Sequence, residues 1–116
     1  MTEFASRLDR ARSALDADGM DALCLSVGSD LPYLTGYRAM PLERLTMLVV
    51  RTGGESVLVV PPLEAPRVDT SDGTFAVRSW SETEDPIAIV SDLLVGAGRV
   101  AIGDETWARF VLALQD

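Results

Sequence analysis

The run Ala22-Leu23-Cys24-Leu25-Ser26-Val27 constrains this chain more than any other segment. It is short, almost wholly apolar, and bounded by Gly19-Met20-Asp21 on one side and Gly28-Ser29-Asp30 on the other. Successive side chains of a strand point to opposite faces, so a strand that is apolar at nearly every position must be covered on both. A sheet built around it needs helices on each face. The residues before it supply the first. Over residues 3–17, Phe4, Leu8, Ala11 and Leu15 recur at helical spacing, with Arg7, Asp9, Arg10, Arg12 and Asp16 between them. Asp18-Gly19 ends that helix, because glycine accepts the left-handed conformation at a helix terminus.

The remaining elements follow from periodicity and punctuation. Gly28-Ser29-Asp30 is a turn, and Ser29 or Asp30 can cap a short helical turn through Leu34 that Gly36 breaks. Residues 46–51 and 56–60 read as two strands of a hairpin across Thr52-Gly53-Gly54-Glu55, and Pro61-Pro62 ends the second. Residues 63–68 allow at most a short helix because Pro66 interrupts them, and residues 75–80 alternate as a strand. Asp85-Pro86 opens a helix, with Asp85 as cap and Pro86 in the first turn. Its apolar face is Ile87, Val90, Leu93, Leu94 and Ala97, closed by Gly96 and Gly98. Residues 99–103 form another short strand. Asp104 is expected to cap a last helix with the stripe Trp107, Phe110, Val111 and Leu114. This order predicts an α/β domain spanning residues 1–116, with a mixed sheet of about five strands flanked by helices in a ribonuclease H-like arrangement. With the first strand central, the hairpin is expected on one side of it and the two late strands on the other. No internal repeat, low-complexity tract or interdomain linker is visible.

The chemistry is bounded by what is missing. The 116 residues contain no histidine and one cysteine, which rules out a Ser-His-Asp triad, a Cys-His pair and a His-bearing zinc site within this chain. Cys24 sits in the apolar run and reads as a small buried hydrophobe; a reactive thiol would need a neighbouring base. Glu82, Glu84 and Asp85, and again Asp104 and Glu105, stand before helices, where carboxylates cap backbone amides and complement the macrodipole. A two-metal nuclease needs acids converging from strand centres, and the first strand has none. No G-x-G-x-x-G or Walker motif is present, so no cofactor or metal site is expected in this chain. A net charge of −8 speaks against nucleic acid as a partner. No targeting signal and no apolar stretch of roughly 20 residues exists, so no membrane partner is expected, and the default is a soluble cytoplasmic protein.

The most specific stretch is Ser29-Asp30-Leu31-Pro32-Tyr33-Leu34-Thr35-Gly36-Tyr37. By its residues alone it is an apolar turn with two tyrosines packing at a sheet edge. As a pattern, a strand such as ALCLSV followed by Tyr33-Leu34-Thr35-Gly36-Tyr37 resembles the N-terminal domain of the creatinase, prolidase and aminopeptidase P family. The ordered companions agree. Asp18-Gly19-Met20-Asp21-Ala22 resembles the family's entry to its first strand, Leu58-Val59-Val60-Pro61 closes on Leu63-Glu64, Trp80 precedes Glu82 and Asp85-Pro86, and Val100-Ala101-Ile102-Gly103-Asp104 follows. The resemblance covers essentially the whole chain.

That resemblance implies a two-domain metallohydrolase of which this chain is the non-catalytic N-terminal part. The catalytic C-terminal domain, with two divalent metals held by two aspartates, a histidine and two glutamates, would lie outside it. The parent would be a Xaa-Pro dipeptidase or aminopeptidase P-like peptidase, or a creatinase-like amidinohydrolase, and no activity is expected from this chain. Its partners would be the C-terminal domain, a second subunit in a homodimer, and the parent's peptide substrate. The domain would serve dimerisation and substrate access. Arg44 occupies the position of an arginine that reaches a substrate carboxylate in creatinase-like members, and a guanidinium binds such a group bidentately. The alternative is a solvated Arg44 paired with Glu43. Tyr37, Met40 and Leu42 are further candidates for covering an active site, or for ordinary loop packing. A free-standing interaction module with the same fold is the competing expectation. The last helix reaches Asp116 without a cap or turn residue, as expected of a piece of a longer protein.

Overall fold

The structure, a computed structural model, describes residues 3–39, 44–71 and 73–116. Helix α1 (Glu3–Ala17) has the predicted bounds and buries Leu8 and Leu15. Two hydrogen bonds close it. Met20 N–H donates to Leu15 O at 2.9 Å and Gly19 N–H to Asp16 O at 3.1 Å, with Gly19 at φ 72°. Only glycine takes that left-handed position without a steric cost. Strand β1 (Ala22–Leu25) follows, then α2 (Asp30–Thr35), β2 (Met47–Arg51) and β3 (Val57–Val60). A 3-10 turn (Ala65–Arg67) precedes β4 (Ala76–Ser79), α3 (Pro86–Leu93), β5 (Val100–Ile102) and α4 (Ala108–Gln115).

The five strands form one mixed sheet in the order β4-β3-β2-β1-β5. The hairpin is antiparallel, with Leu48 opposite Leu58, and β1 pairs antiparallel with β2, with Leu23 opposite Val50. β5 runs parallel to β1 and β4 parallel to β3. The expected placement of both late strands beyond β1 is therefore corrected. β1 is internal but second from an edge, and β2 is the middle strand. After β3, Ala65, Val68 and Phe75 pack over one face, and the chain returns as β4 beside β3. Three of the four β3 residues are buried, so the hairpin's far side is no place for a bare edge. α3 then carries the chain over the other face to the free side of β1.

Alternation sorts the β2 side chains between two cores. Leu48 and Val50 face α1 and α2, packing with Leu8, Leu15, Leu31, Leu34 and Tyr37. Met47 and Val49 face α3 and α4, packing with Cys24, Trp80, Val90 and Phe110. Each fully buried Leu or Val of this kind contributes about 1.5–3 kcal/mol relative to exposure. Cys24 is fully buried, and desolvation pushes its thiol up to about 12, in keeping with an inert core residue.

Polar side chains fix the register around these cores. Arg12, on the outer side of the α1 stripe, donates to Arg51 O at 3.3 Å and Ser56 Oγ at 2.8 Å, tying the helix to the base of the hairpin. Arg51 donates to Leu93 O and Val95 O at 2.9 and 2.8 Å, satisfying carbonyls at the end of α3. Asp21 Oδ2 accepts from Arg99 N–H and Gly98 N–H at 2.9 and 2.8 Å. Those two bonds, Arg99 first, hold its carboxyl below the usual range and align β5 with β1.

The last helix begins later than the sequence suggests. Asp104 does not cap it. Residues 104–106 turn instead, with Gly103 N–H extending the ladder to Cys24 O at 2.9 Å and Thr106 N–H donating to Gly103 O at 3.1 Å. Trp107 stands at the N-cap position of α4 without a side-chain cap and stacks on Phe110 at 6.1 Å. Asp85 does cap α3, its Oδ1 accepting from Ile87 N–H at 3.0 Å.

Candidate functional site

Each residue of the Tyr33–Tyr37 segment has a separate geometric task. Leu34 is buried in the core beneath α1 and α2. Thr35 is buried; its hydroxyl donates to Leu31 O at 2.7 Å and accepts from Tyr37 N–H at 3.1 Å, which folds the chain back after α2. Gly36 has φ 78°, and a Cβ there would stand 2.9 Å from Phe4 Cζ. Tyr33 is half exposed, with the Arg7 guanidinium 4.2 Å from its ring centroid. Tyr37 is buried and its hydroxyl donates to Glu64. Burial first, and then that bond to an anion, push its hydroxyl up to about 12. Tyr37 is thus a buried residue tied to Glu64, with its hydroxyl already engaged. Met40 and Leu42, the other two candidates named with it, lie outside the described residues.

Arg44 is the candidate around which a site exists. It lines a pocket of about 410 Å³ with Leu45, Trp80, Asp85, Pro86, Ile87, Arg109 and Phe110. Its guanidinium lies 5.0 Å from the Trp80 ring centroid and pairs with Glu82. Glu43, the partner the sequence suggests for a solvated Arg44, lies outside the described residues; among the described residues the counter-charge of Arg44 is Glu82. Trp80 is fixed from below, its Nε1–H donating to Leu45 O at 3.1 Å. A second cation, Arg109, lines the same pocket, 5.7 Å from the Phe110 ring centroid. Sequence reasoning missed Arg109, because nothing local brings α4 next to residue 44. Stacking leaves the hydrogen-bonding edge of a guanidinium open to a planar anion, and Glu82 occupies that of Arg44 here. Glu84, expected as a cap, instead accepts from Arg78 at 2.7 Å and from Ser81 N–H at 2.8 Å. Arg78 chiefly, then the Ser81 amide, hold its carboxyl down at about 2.

The fold and motif geometry coincide with a known domain. Residues 7–115 match the family model of the Creatinase/Prolidase N-terminal domain. This chain belongs to that family. The creatinase/prolidase N-terminal domain is 36% identical over 97% of its length to the probable dipeptidase PepE of Mycobacterium tuberculosis, covering 31% of that protein. Against the crystal structure of dipeptidase PepE from Mycobacterium ulcerans it superposes with a TM-score of 0.87 at 36% identity, over 98% of this chain and 32% of that one. Against the creatinase/prolidase N-terminal domain of an X-Pro dipeptidase from Streptococcus pyogenes the TM-score is 0.81 at 28% identity, with 95% and 86% covered. The chain thus spans about a third of the length of the full-length dipeptidases it matches, and corresponds to their N-terminal domain.

The metal-ligand set implied by the creatinase/prolidase resemblance does not fit these residues. It requires a histidine, and the chain has none. Among the described residues the one group of three potential ligands is Asp30, Asp104 and Glu105, all exposed, with oxygens within 4.8 Å of one another. Glu105 is already committed to Ser29 N–H at 2.9 Å. Among the described residues, no helix is long and apolar enough to cross a membrane.

Proposed function

We propose that this chain is the non-catalytic N-terminal domain of a cytoplasmic Xaa-Pro dipeptidase-like hydrolase, and that it serves dimerisation and substrate access. The observation that carries the reading is coverage: nearly all of the chain aligns with about a third of proteins described as dipeptidases. On this reading a C-terminal domain carries two divalent metals and the hydrolytic chemistry. This domain's own residues then contribute shape and charge at the entrance. Arg44 stacks on Trp80 and Arg109 lines the same pocket, so the pair can orient the carboxylate of a short peptide while Glu82 holds Arg44 in the free state.

The test has two arms. The purified 116-residue chain, supplied with Xaa-Pro dipeptides and divalent metal, gives no hydrolysis; turnover that copurifies with the chain overturns the non-catalytic assignment. In the two-domain protein, Arg44→Ala raises KM with little change in kcat, because orienting a remote carboxylate is uniform binding. Unchanged kinetics remove Arg44 from the substrate path.

A further inference from the structure

On the opposite face of the sheet from Arg44, a groove of about 510 Å³ opens between α1, α2 and the β1–β5 edge. Its origin is local. β5 offers only the small Ala101 to this face, and Gly103 follows, where a Cβ would stand 2.6 Å from Leu25 Cδ2. The floor is therefore low and apolar, formed by Leu23, Leu25 and Gly103. The walls carry opposite charges, with Arg10 on α1 and Asp30 at the start of α2.

These two charges are exposed, and neither has a hydrogen-bond or ion-pair partner among the described residues, including each other. Arg7 also borders the groove but is committed, donating to Tyr33 O at 2.9 Å and pairing with Glu3. Asp104 stands within 4.8 Å of Asp30 and adds to the negative wall. A simple cation would satisfy one wall and leave Arg10 idle; a simple anion would do the reverse. A molecule with an ammonium and a carboxylate on a short apolar body satisfies both walls and the floor. The volume lies within the roughly 300–1,000 Å³ typical of small-molecule sites.

We propose that this groove binds a small zwitterion, a free amino acid or dipeptide with an apolar side chain. The ammonium lies toward Asp30 and Asp104, the carboxylate toward Arg10, and the side chain on Leu23 and Leu25. The site goes beyond the proposed function, since it uses neither Arg44 nor any other domain. Exposed charges in water make the binding weak, with a Kd of about a millimolar.

The isolated chain, labelled with nitrogen-15, is titrated with Gly-Leu and followed by amide shifts. Saturable shifts are expected at Leu23, Leu25, Tyr33 and Gly103. N-acetyl-Gly-Leu, which lacks the ammonium, and Gly-Leu amide, which lacks the carboxylate, each bind about tenfold more weakly, the loss of one charge-assisted contact. Arg10→Gln and Asp30→Asn weaken Gly-Leu to a similar degree. Both side chains are exposed, so spectral dispersion of these variants should be that of a folded chain. No saturable shift, equal binding of the blocked peptides, or the same shifts from calcium chloride alone with no effect of Arg10→Gln would overturn the proposal. The last result would mean a cation site.

Discussion

Replacing Gly36 by alanine separates two costs that the structure places at one residue. Gly36 has φ 78°, and its missing Cβ leaves the space that the Phe4 ring occupies at 2.9, 3.3 and 3.5 Å. Left-handed backbone costs an alanine about 1–2 kcal/mol. Overpacking adds about 1–3 kcal/mol, toward the low end here because the obstacle is the end of an aromatic side chain that can shift. Alanine also restricts the unfolded chain, which returns about 0.4–1 kcal/mol. The net expectation is a loss of about 2–3 kcal/mol, a large share of the roughly 5–15 kcal/mol by which domains are stable. Two other glycines supply the controls. Gly96 has φ 85° and nothing within 4 Å of where a Cβ would stand, so Gly96→Ala reads the backbone cost alone, net about 1 kcal/mol. Gly53 has neither a positive φ nor a neighbour within 4 Å, so Gly53→Ala keeps only the unfolded-chain gain and stabilises by about 0.4–1 kcal/mol. Urea unfolding followed by circular dichroism, with the slope m held constant across variants, measures the series. In the Phe4→Ala background the steric part of the Gly36→Ala loss disappears and the backbone part stays. A Gly36→Ala loss equal to that of Gly96→Ala, or no coupling to Phe4, refutes the argument.

Two other outcomes follow from the titrating groups. Glu84 has a carboxyl pKa held down at about 2 against an ordinary 4.5, so the contact with Arg78 stabilises the fold above the unfolded value and is lost as pH falls from about 4.5 through about 2. Acid unfolding of Glu84→Gln should show a weaker dependence on pH across that window; an unchanged acid limb counts against the contact. Cys24, fully buried with its thiol at about 12, should react with a thiol reagent such as dithionitrobenzoate only as fast as the chain unfolds. Rapid stoichiometric labelling of the native chain at neutral pH would contradict its burial.

Local chemistry made much of this protein legible in advance. The stripe Phe4, Leu8, Ala11 and Leu15 foretold α1 to the residue, Asp85-Pro86 foretold the capped start of α3, and Tyr33-Leu34-Thr35-Gly36-Tyr37 carried the family. These features depend on neighbours in the chain, through helical periodicity, a cap reaching its own amides, and a glycine in a left-handed turn. Tertiary structure alone decided the rest. β4 lies beyond β3 because pairing partners across residues 61–75 are chosen by which edge needs covering, which no local pattern records. Glu105 reaches back to Ser29 and the 103–106 turn delays α4, although its residue types suit an earlier helix start. Arg44 comes together with Trp80, Glu82 and Arg109 only once the crossovers have brought three separate segments together. Period and punctuation specify elements because their forces act over a few residues; contacts between elements depend on how apolar faces are shared, and that is settled by the whole chain at once.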